Sequence, residues 1–115
     1  MRGSALHGAI SQAFAYAEEH GVVDSAVVAM LDVDGKVIDA TQRIWAKAEY
    51  LRALALRPGT EAKLLEQLHT LQTQFLHAGG WYECRDGGGA VSRHDMPSTT
   101  PYHLATCLSG LVKLA

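Results

Sequence analysis

Apolar side chains recur at helical spacing over four stretches of this chain, with short β-branched or glycine-rich runs between them. Leu6, Ile10, Phe14 and Ala17 predict a helix over Ala5–His20, and Gly21 offers the left-handed position that ends one. Val27 to Ile38 is rich in β-branched residues and broken by Asp34-Gly35, a dipeptide that tolerates the positive φ angles of a tight hairpin. Thr41 reads as the cap of a second helix over Gln42–Leu56, carrying Trp45, Ala48, Leu51 and Ala55 until Pro58-Gly59 stops it. A third helix starts at Thr60, places Leu64, Leu68, Leu71 and Phe75 along one face, and ends at Gly79-Gly80. Trp81–Cys84 and Ala90–Arg93 then flank Gly87-Gly88-Gly89 as a second hairpin. The last helix, Tyr102–Leu114, turns Leu104, Cys107, Leu108 and Leu111 inward.

The order helix, hairpin, helix, helix, hairpin, helix predicts one all-α domain over residues 1–115 with small β-hairpins. Four amphipathic helices can close a small bundle or form a piece of something larger. Ten basic residues against twelve acidic ones give no field that would hold a nucleic-acid backbone or an anionic membrane surface, so a small or neutral ligand is expected. The apolar run Val27–Leu31 is far too short to span a bilayer, and the chain opens without a secretory pattern. Cys84 and Cys107 stand far apart, in no metal-type pair, and a reducing cytoplasm fits them best.

Two constellations carry chemistry. In Met96–Leu104, MPSTTPYHL, Thr100 is a natural N-cap and Pro101 fits the first helical position. His103 then falls at the third position, near the positive end of a helix that disfavours imidazolium. It reads as an acid/base group or, more plainly, as a histidine that helps close the helix start. On the second helix Trp45 and Glu49 are four residues apart and project from one face. An indole offers a flat apolar surface and one donor to a sugar ring, and a carboxylate accepts from adjacent hydroxyls. The plainer reading makes Trp45 a core anchor and Glu49 a solvated residue.

Other groups carry less. Cys84, His94, His103 and Cys107 have the right atoms for zinc but the spacing of no known type of site, so no metal is assigned. Gly87–Gly89 precedes a strand, unlike a phosphate loop, and reads as a turn. His69 and His77 read as partly exposed residues of the third helix, and Tyr102 either supports a pocket or packs beside His103.

AFAYAEEHG, LDVDGKVIDATQRIWAKAEYLRALAL and GGWYECRDGGGAVSRHDMPSTTPYHL together resemble the C-terminal portion of the N-acylglucosamine 2-epimerase superfamily, which includes cellobiose 2-epimerases and mannose isomerases. Its most specific pieces are Trp-x-x-x-Glu at Trp45 and Glu49, Gly-Gly-Trp at Gly79–Trp81, and the Ser-Thr-x-Tyr-His type of ending at His103. The STTPYHL form lies closer to the mannose isomerase and mannose-6-phosphate isomerase-like branch. The resemblance implies part of an (α/α)6 barrel, a sugar pocket at one end, no cofactor and no catalytic metal. It also implies a histidine pair that moves a proton beside an opened aldose carbonyl through an enediolate. By position His103 matches the C-terminal member of that pair, and Trp45 and Glu49 match residues lining the sugar site.

The departures are as specific. The family's other histidine stands in an upstream His-x-x-Glu segment that this chain lacks, and Ala46-Lys47-Ala48 replaces the usual residues between Trp45 and Glu49, with consequences expected around the pocket. The match covers about the last third of the barrel, so helix faces should be left open and drive association, as a homo-oligomer or with a complementary chain. Two readings stand. One is a segment of a sugar isomerase or epimerase acting on mannose-type sugars. The other is a non-catalytic barrel fragment that persists as an oligomeric helical module with weak or no carbohydrate binding.

Overall fold

The computed structural model describes residues 2–113. Its elements, in chain order, are α1 (Arg2–Gly21), β1 (Val22–Val23), β2 (Ala26–Leu31), β3 (Val37–Arg43), α2 (Ile44–Ala55), α3 (Glu61–Gln74), β4 (Leu76–His77), β5 (Gly80–Trp81), β6 (Cys84–Arg85), β7 (Val91–Arg93) and α4 (Thr100–Val112). Helix accounts for about half of the chain, and the strands form an antiparallel five-stranded sheet, β1-β2-β3-β6-β7, and a separate pair, β4-β5. The fold is therefore mixed α+β. The all-α expectation is overturned, and so is the partial (α/α)6 barrel, since no barrel closes among the described residues.

The physical reason lies in one pairing. Gln42 pairs with Arg85 and Arg43 with Cys84, so β3 and β6 weld the two expected hairpins into one sheet. That ladder holds Gln42 and Arg43 extended, so α2 begins at Ile44. Thr41 is a strand residue whose amide donates to Asp39 Oδ1 at 2.9 Å, and it caps nothing. The strand expected at Trp81–Cys84 is β6, Cys84–Arg85, because Trp81 belongs to the β4-β5 hairpin, where Leu76 pairs with Trp81 and His77 with Gly80.

The first hairpin turns where the Asp-Gly dipeptide predicts, by a different geometry. Gly35 alone has positive φ there, at 83°, and the Asp32 carboxylate accepts from the amides of Asp34 and Lys36. This five-residue loop is a turn closed by a left-handed glycine, unlike the two-residue type in which both central residues have positive φ. That two-residue type occurs unannounced one strand earlier. Asp24 (φ 48°) and Ser25 (φ 67°) join β1 to β2 with no glycine at all.

A fully buried lysine braces this strained turn. Lys47 Nζ donates to the carbonyl of Ser25 (2.8 Å), to Gln67 Oε1 (2.8 Å) and to Thr70 Oγ1 (2.7 Å), and Gln67 Nε2 donates to the same Ser25 carbonyl. An ammonium can be buried only when its donors are satisfied, which these acceptors from α3 and the turn accomplish.

The apolar core forms where α2 meets α3 and α4. Ile44, Ala48, Leu51, Leu71, Phe75 and Cys107 are its buried members, with Leu64, Leu68, Trp81, Leu104 and Leu111 packed around them. The third helix thus buries the face its periodicity predicts. On α4 Leu108 points outward instead of inward, and Leu114 lies outside the described residues. The C-terminal half of α1 is tied down: Glu18 accepts from Tyr50 of α2 at 2.6 Å and from Lys63 of α3 at 2.8 Å, and Arg57 lies over the Phe14 ring. Its earlier apolar positions are uncovered, with Leu6 64% and Ile10 56% exposed.

Candidate functional site

α2 and α4 pack side by side, and the three residues singled out from the sequence meet across their N-terminal halves. Glu49 Oε1 stands 2.9 Å from His103 Nδ1, and the Trp45 and His103 rings lie 5.4 Å apart between centroids, inclined at 35°. Trp45 is 40% exposed, so it is no core anchor, and Glu49 and His103 are each about one-third accessible. Glu49 Oε2 is 3.7 Å from Arg52, one turn further along α2. Tyr102 packs edge-on against His103, at 5.9 Å and 81°, and is itself well exposed.

The local structure explains this convergence. Trp45 and Glu49 share a face at a spacing of four, while Ile44, Ala48 and Leu51 turn the adjoining face into the core. On α4 the core contact is Cys107, one turn beyond His103, so the imidazole sits on the same side but nearer the helix start and the solvent. Burial pushes the Cys107 thiol up from its ordinary value, and the nearby Glu49 carboxylate adds to that. The helix starts at Thr100, one residue earlier than the capping pattern predicts. Thr99 occupies the N-cap position without a side-chain cap, and Pro101 keeps its place in the first turn.

Two residues of this region escape sequence reasoning. Glu83 is 4% exposed, and its carboxylate accepts from Trp81 Nε1 at 3.0 Å and from the Thr100 hydroxyl at 2.7 and 3.0 Å. Its carbonyl accepts the amide of Ile44, the first residue of α2. A carboxylate two positions after a tryptophan was the available sign, and it names no partner. Lys47, expected to alter contacts around the pocket, projects to the opposite side of α2, into α3 and the β1-β2 turn. Its position, three after Ile44 and four before Leu51, is on the buried stripe, which is the sign that could have placed it.

The remaining candidates do not join the site. Cys84 and Cys107 are buried free thiols. His94 packs edge-on to Tyr82, whose ring is also 4.6 Å from His77, in a separate surface cluster. Among the described residues no three His, Cys, Asp or Glu side chains gather as a metal-holding group, and no helix is long and apolar enough to cross a membrane. His77 belongs to β4, beyond the third helix, and His69 is exposed on α3. Gly87–Gly89 forms the β6-β7 turn, with the Asp86 carboxylate accepting from the amides of Gly88 and Ala90.

A solved D-mannose isomerase structure superposes on 87% of this chain with a TM-score of 0.73 and 20% sequence identity. This chain shares its fold with part of that protein. The chain spans 29% of that protein's length. No family profile matches the sequence, and no curated protein sequence does.

Proposed function

We propose that this chain is part of a sugar isomerase or epimerase of the N-acylglucosamine 2-epimerase type, with His103 as a proton-transfer group and Trp45 and Glu49 at the sugar. The observation that carries the reading is the 2.9 Å approach of Glu49 to His103, whose ring lies 5.4 Å from that of the partly exposed Trp45, in a fold shared with part of a D-mannose isomerase.

With the proton on Nδ1, the imidazole donates to Glu49 and presents the Nε2 lone pair to a ligand, as a carboxylate-oriented histidine base does. In an open-chain aldose Nε2 takes the proton from C2. The C–H electron pair becomes the C1–C2 double bond and the carbonyl pair moves to O1, giving an enediolate. Epimerisation needs a proton delivered to the opposite face of C2 by a second acid, the role the resemblance gives to the upstream histidine. The proton held by His103 returns only to the face it left. Return to C1, with the O2 proton passing to O1, gives the ketose. Trp45 supplies a flat apolar face for the sugar carbons. Arg52, beside Glu49, keeps that carboxylate in a cationic neighbourhood.

The short span relative to the D-mannose isomerase favours a second reading, in which this chain alone holds a sugar without turning it over. One experiment separates the two: mannose in deuterated water with purified protein, followed by NMR at C2 and by chromatography for fructose and glucose, alongside His103→Ala. Exchange or product that falls by a factor on the order of 10² to 10⁴ in the variant supports the first reading. Mannose-dependent shifts of the Trp45 indole signal without exchange support the second, and neither shifts nor exchange overturns the sugar reading altogether.

A further inference from the structure

We infer that Glu83 is the positioning residue that sets α2 against α4, and thereby sets the Glu49–His103 pair. Helix starts leave backbone amides without partners, and a neighbouring side chain at the N-cap ordinarily satisfies one of them. Neither site helix has such a cap: Arg43 before α2 and Thr99 before α4 make no side-chain capping bond. Glu83 reaches both starts from the bend between β5 and β6. Its carbonyl accepts the first amide of α2 at 3.1 Å, and its carboxylate receives the hydroxyl of Thr100, the first residue of α4. The carboxylate also lies at the positive end of the α4 dipole, where a negative charge is favourable.

The clamp is itself fixed. Trp81 Nε1 donates to Oε2, and the Glu83 amide donates to the Arg93 carbonyl at 2.9 Å, so the side chain and the backbone are both held while buried. Trp45 is one residue from the Ile44 contact and His103 three from Thr100. A small rotation of either helix start therefore moves the imidazole relative to the Glu49 carboxylate, and hydrogen bonds weaken steeply with such misalignment. Among the described residues no hydrogen bond or ion pair joins Glu83 to Trp45, Glu49 or His103, and it acts through the two helix starts. This inference concerns geometry and holds whether or not the site acts on sugar.

The test reads the neutral His103 tautomer by long-range proton–nitrogen NMR correlation in the parent, Glu83→Gln, Glu83→Ala and Thr100→Val. The parent should favour Nδ1–H by at least about tenfold, as a hydrogen bond to a charged acceptor dictates. Glu83→Gln, which keeps an acceptor for Thr100, should retain that bias, and Glu83→Ala should lose most of it. Glu83→Ala keeps the backbone carbonyl that accepts from Ile44 and removes the side-chain contacts to Thr100 and Trp81. Should it fail to fold, Thr100→Val cuts the α4 contact alone and should show the same loss. An unchanged tautomer ratio in a folded Glu83→Ala or Thr100→Val protein overturns the inference, as does a parent without the Nδ1–H bias. Because no substrate enters the measurement, its failure and a failure of the sugar reading are distinguishable.

Discussion

Glu49 and His103 approach to 2.9 Å across 54 positions of sequence, yet both are about one-third accessible to water. Pairs in that setting contribute little to stability, on the order of 0.2 to 1 kcal/mol, because solvent screens them and two side chains must be held still. A double-mutant cycle of Glu49→Ala and His103→Ala, measured by urea unfolding, should give a coupling of about 1 kcal/mol or less that shrinks further in salt. A coupling of several kcal/mol would make the pair a structural element and remove the reason to see function in it.

Lys47 reverses that balance. Burial pulls its ammonium down to about 8 from an ordinary value of 10.5, with Glu66 opposing the shift. Between those values the unfolded chain holds a proton that the folded one has released, so this residue makes stability rise with pH across that window and contributes no slope well below it. Tyr50 acts oppositely. Burial and the Glu18 carboxylate raise its phenol, so the folded chain keeps a proton that the unfolded one loses above about 10, and stability falls there. The Lys47 effect is therefore cleanest from pH 8 to about 10, read as the parent minus Lys47→Met. A difference that stays flat over that interval would contradict it.

Removing the same amine at neutral pH should be costly in its own right. Lys47→Met leaves Gln67 Oε1 and Thr70 Oγ1 without their donor and takes one of two donors from the strained Ser25 carbonyl. Gln67 Oε1, in a buried side chain, is orphaned at a cost of about 1–3 kcal/mol, while the Thr70 hydroxyl keeps its bond to the Gln67 carbonyl, and the apolar replacement offsets only part of this. Urea unfolding at pH 7 should show a loss on the order of 2 kcal/mol or more. A neutral or stabilising result would mean that the polar cluster is dispensable.

What the sequence discloses follows the range of the interactions. Leu51, Leu71, Phe75 and Cys107 were legible as core because a helical period is local and recurs along a single element. The shared face of Trp45 and Glu49 was legible for the same reason. Their meeting with His103 depended on how α2 and α4 pack, which residue spacing does not encode, and it was suggested by resemblance. The Gln42–Arg85 and Arg43–Cys84 pairings were invisible because β-pairing between distant strands has no local sign, and that omission turned a mixed fold into an expected all-α one. Val22–Val23 was missed because Asp24-Ser25 adopts a turn that glycine or asparagine usually marks.

The junction of β3 with the β6-β7 turn is close enough to test by adding one methyl group. A Cβ on Gly87 would lie 2.8 Å from the Cβ of Ala40, and Gly87 is not among the glycines with positive φ, so the constraint is contact rather than backbone conformation. Gly87→Ala should destabilise by about 1–3 kcal/mol, as crowding of packed groups does. Ala40→Gly removes the opposing methyl at its own cost of roughly 0.5–1 kcal/mol. The double variant should then lose clearly less than the two single losses combined, and strict additivity would refute the steric account.

Self-association is the last expectation, raised by the exposed apolar side chains of α1 and α4. Leu6 and Ile10 lie one turn apart on the part of α1 that precedes its anchoring contacts at Phe14 and Glu18, and Tyr102, Leu108 and Val112 are exposed on α4. Exposed leucine and isoleucine side chains at successive turns form a stripe that gains about 25 cal/mol for each Å² it removes from water. A second copy offers a matching stripe, so the chain should sediment above its monomer mass of 12.4 kDa. Leu6→Asp combined with Ile10→Asp should shift it toward monomer without loss of helical circular dichroism, since neither side chain joins the core. A parent that remains monomeric at high micromolar concentration would show that this face needs no partner, and a mass unchanged by the two aspartates would assign the contact to another surface.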